Sequence, residues 1–176
     1  MNANAGLKPG ATRASRQTMP APFKRKNIRL SPFNYWGRRA YFLTLCFHNR
    51  RPYGTEPGVV KWLFGVLRES AAGHSFEVYA YCLMPDHFHL LVMGTSNSSN
   101  LLEFVDSFKQ DTGFAFQRKR GKPLWQFKFY DHILRKPNAV DSVAWYIWLN
   151  PVRKGFCKRP DEYPHSGSFT EAGTRL

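Results

Sequence analysis

His87 and His89 stand two residues apart in the run His87-Phe-His-Leu-Leu-Val92, a stretch of strand character that is otherwise apolar. Residues two apart on a strand project from one face with Cα atoms roughly 6.5 to 7 Å apart, so the two imidazoles can converge on one ion. Phe88, Leu90 and Val92 then face the core. Taken alone, His-x-His more often marks two incidental histidines than a ligand pair. Two polar rings buried in an apolar strand need partners, however, and a metal ion serves both. The second cluster is Trp145-Tyr-Ile-Trp-Leu-Asn-Pro151. On a helix entered at Asn138, Tyr146 lies about 100° around the axis from the stripe of Val140, Val143, Ala144 and Ile147, at the margin of the buried face. Asn150 follows by one turn and can bring a neutral oxygen ligand to the same place. Pro151 bears against this, because a residue before proline disfavours the α conformation. Spacing alone favours the plainer account, a core-edge aromatic and a helix terminator.

These residues need a scaffold, and the chain supplies a pattern for one. Tyr41-Phe-Leu-Thr-Leu-Cys-Phe47 reads as a first strand, ended by the polar His48-Asn-Arg-Arg51. Val59 to Ala72 places Val59, Leu63, Val66 and Leu67 near one helical face, and Gly73 fits its end. Phe76 to Met84 alternates as a strand, with Phe76, Val78, Ala80, Cys82 and Met84 on one face. Pro85-Asp86 breaks it, and His87 to Met93 forms the next strand. A helix follows over about Leu101 to Arg118. Tyr130-Asp-His-Ile-Leu134 makes a fourth strand, and Asn138 caps a last helix with Asp141 in its first turn. The order β-α-β-β-α-β-α predicts an α+β, ferredoxin-like (RRM-like) domain: a four-stranded antiparallel sheet with helices on one face. Residues 1–35 read as a flexible basic arm, 36–160 as the domain and 161–176 as a tail. Beyond Pro151 the basic, irregular chain predicts loose attachment.

The chain has 176 residues, enough for one domain with a real core. Its 26 Lys and Arg against 12 Asp and Glu give a formal net charge of +14, an imbalance that points to a polyanionic partner. Seven basic and no acidic residues precede Phe33, with Lys24, Arg25, Lys26 and Arg29 placed to grip phosphates. A second basic run, Arg118, Lys119, Arg120 and Lys122, closes the second helix. The three cysteines show neither a Cys-x-x-Cys spacing nor an even count, which reads as a reducing compartment. No run approaches the roughly 18 apolar residues of a membrane span, and no secretory signal opens the chain. A cytoplasmic location without membrane attachment is therefore expected.

Four separated blocks then carry a resemblance. Tyr81-Cys-Leu-Met-Pro-Asp-His-Phe-His-Leu-Leu-Val92, Trp125-Gln126, Phe129-Tyr-Asp-His-Ile-Leu-Arg135 and Tyr146-Ile-Trp-Leu-Asn-Pro-Val-Arg-Lys-Gly155 occur in the order found in REP-associated tyrosine transposases. These are relatives of the small single-tyrosine transposases of bacterial insertion sequences, and the resemblance spans about Tyr41 to Tyr163. That family belongs to the HUH class, so the resemblance implies a divalent cation, Mg²⁺ or Mn²⁺, on His87 and His89, with Tyr146 as nucleophile and Asn150 as third metal ligand. His132 and Lys109 fall on recurrent positions without an assigned role. The implied substrate is single-stranded hairpin DNA of the repetitive extragenic palindrome type, cut through a 5′-phosphotyrosine with a free 3′-hydroxyl, with no small-molecule cofactor. It also puts the protein with the nucleoid, as monomer or homodimer.

A cation on the phosphate oxygens neutralises charge and polarises phosphorus, which a phosphodiester needs before a nucleophile can approach. Imidazole suits Mn²⁺ better than Mg²⁺, and Zn²⁺ is also compatible. A phenol is mostly protonated at neutral pH and needs help losing its proton, and no base is identified. A flexible single strand can bend to a nucleophile on a short helix, and Trp36, Trp125 and Trp145 are candidates for stacking its bases, with core packing the competing role. Two further readings stay open. One is a non-catalytic RNA- or DNA-binding module on the same fold, with packed histidines. The other is a zinc hydrolase that activates water and needs a third strong ligand such as His132.

Overall fold

The structure, a computed structural model, describes residues 35–136 and 139–170. The basic residues Lys24, Arg25, Lys26 and Arg29, the expected cap Asn138 and the last six residues lie outside them. The elements run β1 (Ala40–Cys46), α1 (Pro57–Gly73), β2 (Phe76–Leu83), β3 (His87–Gly94), α2 (Leu101–Arg120), β4 (Tyr130–Leu134), α3 (Ala139–Trp148), α4 (Asn150–Arg153) and β5 (Ser166–Gly167). The sheet has the order β4-β1-β3-β2-β5, antiparallel at every pairing. Its first four strands have the ferredoxin-like order expected, and the two-residue β5 adds a fifth at the β2 edge.

Where β1 meets β3, Leu43 pairs with Leu90, Leu45 with Phe88 and Tyr41 with Val92. Paired residues share a face, so these line one side of the sheet. There they pack with Val59, Leu63 and Leu67 of α1 and Leu101, Phe104 and Phe108 of α2 in the larger core. Asn100 caps α2, its side chain accepting from the Leu102 amide at 3.1 Å. Gly121 ends it with φ 66°, the left-handed conformation that glycine adopts without strain.

Two expectations are corrected. Helices cover both faces of the sheet rather than one, because α3 packs Val143, Ala144, Ile147 and Trp148 on Phe42, Ala80, Cys82 and Leu91, on the side away from α1 and α2. Nor does β2 keep one alternation. Its register on β3 shifts between Val78 and Ala80, so Phe76 and Val78 join the larger core while Ala80, Cys82 and Met84 face α3. One extra residue in a strand reverses the phase of all that follow.

The segment after Pro151 is also attached more firmly than its composition predicts. Ser166 and Gly167 pair with Cys82 and Tyr81. The Tyr163 hydroxyl donates to the Leu83 carbonyl at 2.9 Å, and Trp148 Nε1 donates to the Gly167 carbonyl at 3.0 Å. Its backbone groups find an open sheet edge, which charge and hydropathy do not reveal.

Candidate active site

The turn between β2 and β3 sets the first half of the site. Pro85 and Asp86 connect the strands, and the Met84 amide donates to the His87 carbonyl at 2.8 Å to close the turn. Two other loops hold it: the Phe47 amide donates to the Asp86 carbonyl and the Gly54 amide to the Pro85 carbonyl, each at 3.0 Å. Gly54 is required for that approach, since a Cβ there would run into the Met84 carbonyl.

His87 and His89 then project to the α3 side, as their spacing predicts, with Nε2 atoms 3.0 Å apart. Their other ring nitrogens are engaged. His87 Nδ1 lies 2.6 Å from Asp86 Oδ1, and His89 Nδ1 2.9 Å from Thr44 Oγ1, across the β1–β3 ladder. Asp86 is itself tied to Arg50 at 3.1 Å. Burial pushes the Asp86 carboxyl up, but the His87 hydrogen bond and charge, aided by Arg50, outweigh it and hold the group below the usual carboxylate range. An ionised Asp86 accepts the Nδ1 proton of His87 and leaves its Nε2 lone pair facing His89. The Thr44 hydroxyl can rotate to donate or accept, so His89 can present a lone pair as well. Burial lowers both histidines, with Asp86 partly opposing it at His87 and with His87 and Arg153 adding to it at His89. Neutral imidazole is the form that binds a cation.

This donor set fits a divalent ion. Nitrogens about 2.1 Å from one ion and at right angles to each other lie about 3.0 Å apart, the separation expected of adjacent octahedral positions. Among the described residues no three His, Cys, Asp or Glu side chains converge as a metal site. His132 does not join the pair. It is exposed on β4 and pairs with Phe42, two residues from Thr44. The zinc-hydrolase reading therefore lacks its third strong ligand among the described residues.

Tyr146 enters from α3. Its half-buried ring meets Phe42 edge-to-face at 5.8 Å and lies 6.3 Å from the His89 ring, centroid to centroid. Phenol and imidazole pair thus share one face, at the helix margin that the spacing predicts. Asn150 begins α4 and is buried. The chain passes from α3 to α4 through Leu149, whose amide still donates to the Trp145 carbonyl at 2.9 Å, so Pro151 interrupts the helix without turning it away.

Other residues were not singled out by spacing. The Arg153 guanidinium carbon sits 4.0 Å from the Tyr146 ring centroid, and one of its nitrogens donates to the Tyr146 carbonyl at 3.2 Å. Asp86 and Thr44 orient the imidazoles. Arg153 and Asp86 do lie inside the sequence blocks quoted above, whereas Thr44 is visible only once β1 pairs with β3. Lys109 donates to the Gln126 and Phe127 carbonyls at 3.0 and 2.7 Å, pinning the segment before β4. Arg118, Lys119, Arg120 and Lys122 are exposed around the end of α2, with Arg120 paired to Glu56 at 2.7 Å. Trp125 is a core residue, stacked on Phe47 at 4.8 Å with its indole donating to Thr112, and so is withdrawn as a base-stacking candidate. Trp36 and Trp145 are about half exposed, and Phe127 is 93% exposed.

The α+β sheet thus carries a histidine pair on β3 and a tyrosine on the helix facing it. Residues 38–147 match the family model described as transposase IS200 like, and the chain belongs to that family of transposases. Within it, the expected kinship with REP-associated tyrosine transposases is met. A Haemophilus influenzae protein assigned to that group is 26% identical over 140 residues, 72% of this chain and 77% of its own length. The REP-associated tyrosine transposase of Escherichia coli K12 is 30% identical over 95 residues, 52% of this chain and 53% of its own. The fold matches the solved structure of a REP-associated tyrosine transposase bound to a REP hairpin, with a TM-score of 0.63 and 20% identity over 83% of this chain and 81% of that one. Among the described residues no helix is long and apolar enough to cross a membrane.

Proposed function

We propose that this transposase is a metal-dependent single-strand DNA endonuclease and strand transferase acting on hairpin DNA of the REP type through Tyr146. The observation that carries the reading is the meeting of two Nε2 atoms 3.0 Å apart with the Tyr146 ring beside one of them, on one face of the sheet. Bound Mg²⁺ or Mn²⁺ would be held by His87 and His89, with Asn150 as third protein ligand, and would supply charge neutralisation at the phosphate oxygens. The solved relative bound to a REP hairpin and the basic charge of this chain support hairpin DNA as substrate.

Asp86 and Thr44 keep the imidazoles oriented, and Phe42 and Arg153 hold the phenol ring from two sides. Tyr146 Oη forms the bond to phosphorus and loses its proton. The bond from phosphorus to the 3′ oxygen breaks, and that oxygen takes up a proton. The 5′-phosphotyrosine preserves one ester bond for each one broken, so a second 3′-hydroxyl can displace Tyr146 without ATP. The basic N-terminal residues Lys24, Arg25, Lys26 and Arg29 and the run Arg118, Lys119, Arg120 and Lys122 contribute phosphate contacts. Work at the nucleoid, as monomer or homodimer, accords with this activity.

Tyr146→Phe tests the reading on an end-labelled hairpin with Mn²⁺. Cleavage is lost while folding and DNA binding persist. Equal cleavage by variant and wild type would leave a water-activating enzyme in its place, and binding without cleavage by either would leave a binding module.

A further inference from the structure

A groove of roughly 680 Å³ opens at the end of the sheet away from His87, where β1 and β4 meet the start of α3. Among the described residues, Arg38, Arg39, Arg135 and Lys136 line it against a single acid, Glu77. Val140, in the first turn of α3, lines it too. Four cations around one concavity are a site for an anion with several negative groups.

The sheet register connects this groove to the catalytic residues. Leu134 pairs with Ala40, His132 with Phe42, and Tyr130 with Thr44, while Thr44 pairs on its other side with His89. Leu134, His132 and Tyr130 therefore form a row on the α3 side that starts at the groove and ends level with the histidine pair. Ala40 and Thr44 are four residues apart, about 13 Å of strand. A stacked nucleic-acid strand advances about 3.4 Å per nucleotide, so the row spans about four nucleotides.

We propose that this groove binds the phosphate backbone of the substrate strand about four nucleotides from the scissile phosphate, fixing where along the strand Tyr146 attacks. The inference rests on DNA being the substrate. It assigns Arg38, Arg135 and Lys136 to phosphate contacts, and it makes exposed His132 a neighbour of the strand on its way to the site.

The full-length chain carrying Arg38→Glu, Arg135→Glu and Lys136→Glu tests it, with DNA binding followed by fluorescence anisotropy across a salt series. Single-stranded DNAs extending six or more nucleotides to either side of the cleavage position are compared with DNAs cut back to two. On the long DNA, losing three phosphate contacts flattens the plot of log K against log salt by about 2, so binding at 0.1 M is about 100-fold weaker if the proteins converge at 1 M. The short DNA binds both proteins alike, which separates the groove from a general charge effect. Unchanged affinity and slope on the long DNA, or an equal loss on the short one, would overturn the assignment. Should the triple variant fail to fold, Glu77→Gln decides: it tightens long-DNA binding several-fold, and no tightening overturns the proposal. Wild type that neither cleaves nor forms an adduct, with groove variants still altering binding, would remove the nuclease reading and keep the groove. Normal cleavage with indifferent groove variants would do the reverse.

Discussion

Asp86→Asn and Thr44→Val separate the ligands from the groups that hold them. Asp86 Oδ1 is 2.6 Å from His87 Nδ1, a contact with an ionised acceptor, whereas Thr44 Oγ1 meets His89 Nδ1 at 2.9 Å as a neutral pair. Charge-assisted hydrogen bonds are about twice as strong as neutral ones. Loss of a group that orients a metal-bound histidine typically costs about 10- to 100-fold in affinity. Asp86→Asn therefore lies near the upper end, about 100-fold or 2.7 kcal/mol, and Thr44→Val near the lower end, about tenfold or 1.4 kcal/mol. Valine keeps the β-branched shape of threonine on β1, so the fold tolerates it. Calorimetric titration of the full chain with Mn²⁺ at pH 7.5 reads both values. Wild-type affinity in both variants, or a larger loss from Thr44→Val than from Asp86→Asn, would refute the orienting roles.

Because burial above all holds His87 and His89 below the ordinary histidine range, the unfolded state binds more protons once the pH falls below about 6.5. Stability of the metal-free protein then drops as pH falls toward the lowered folded values, by up to about 1.4 kcal/mol per pH unit for each histidine. Urea midpoints between pH 7.5 and 5.5 show this slope in wild type and a shallower one in a His87→Gln/His89→Gln variant; parallel slopes would contradict it. Arg153→Gln removes the charge stacked on Tyr146, an exposed contact worth about 0.5 to 1 kcal/mol, and slows adduct formation about two- to fivefold in single-turnover assays. An unchanged rate would deprive Arg153 of its positioning role. Gly54→Ala forces the turn bearing Asp86 and His87 outward, lowering stability by about 1 to 3 kcal/mol and weakening Mn²⁺ binding with it. Wild-type urea and Mn²⁺ titrations would show that the turn absorbs the methyl group.

The strands and helices followed from local patterns, because their apolar periods survive in the folded sheet. Three things did not. The bulge in β2 leaves no mark because the residues after it, Ala80 to Leu83, are apolar on both sides, and with its phase hidden, the second helical layer was hidden as well. The attachment of residues 163–169 depends on an edge that exists only after β2 has folded. Trp125 looked like its neighbours until Phe47 and Thr112 closed around it. At the site, the two histidines and Tyr146 were legible from motif order and spacing. Thr44 was not, because its role arises from a strand pairing 45 residues away in sequence. Arg153 lay in a quoted motif, but its stacking on Tyr146 appears only when α4 follows α3.

Mass spectrometry of the wild-type protein after incubation with single-stranded hairpin DNA and Mn²⁺ tests the central claim most directly. The account predicts a peptide containing Tyr146 joined to the 5′ phosphate of the downstream fragment, with a matching fragment ending in a free 3′-hydroxyl. Cleaved DNA with every tyrosine peptide unmodified, under denaturing conditions that preserve a phosphotyrosine bond, would contradict it.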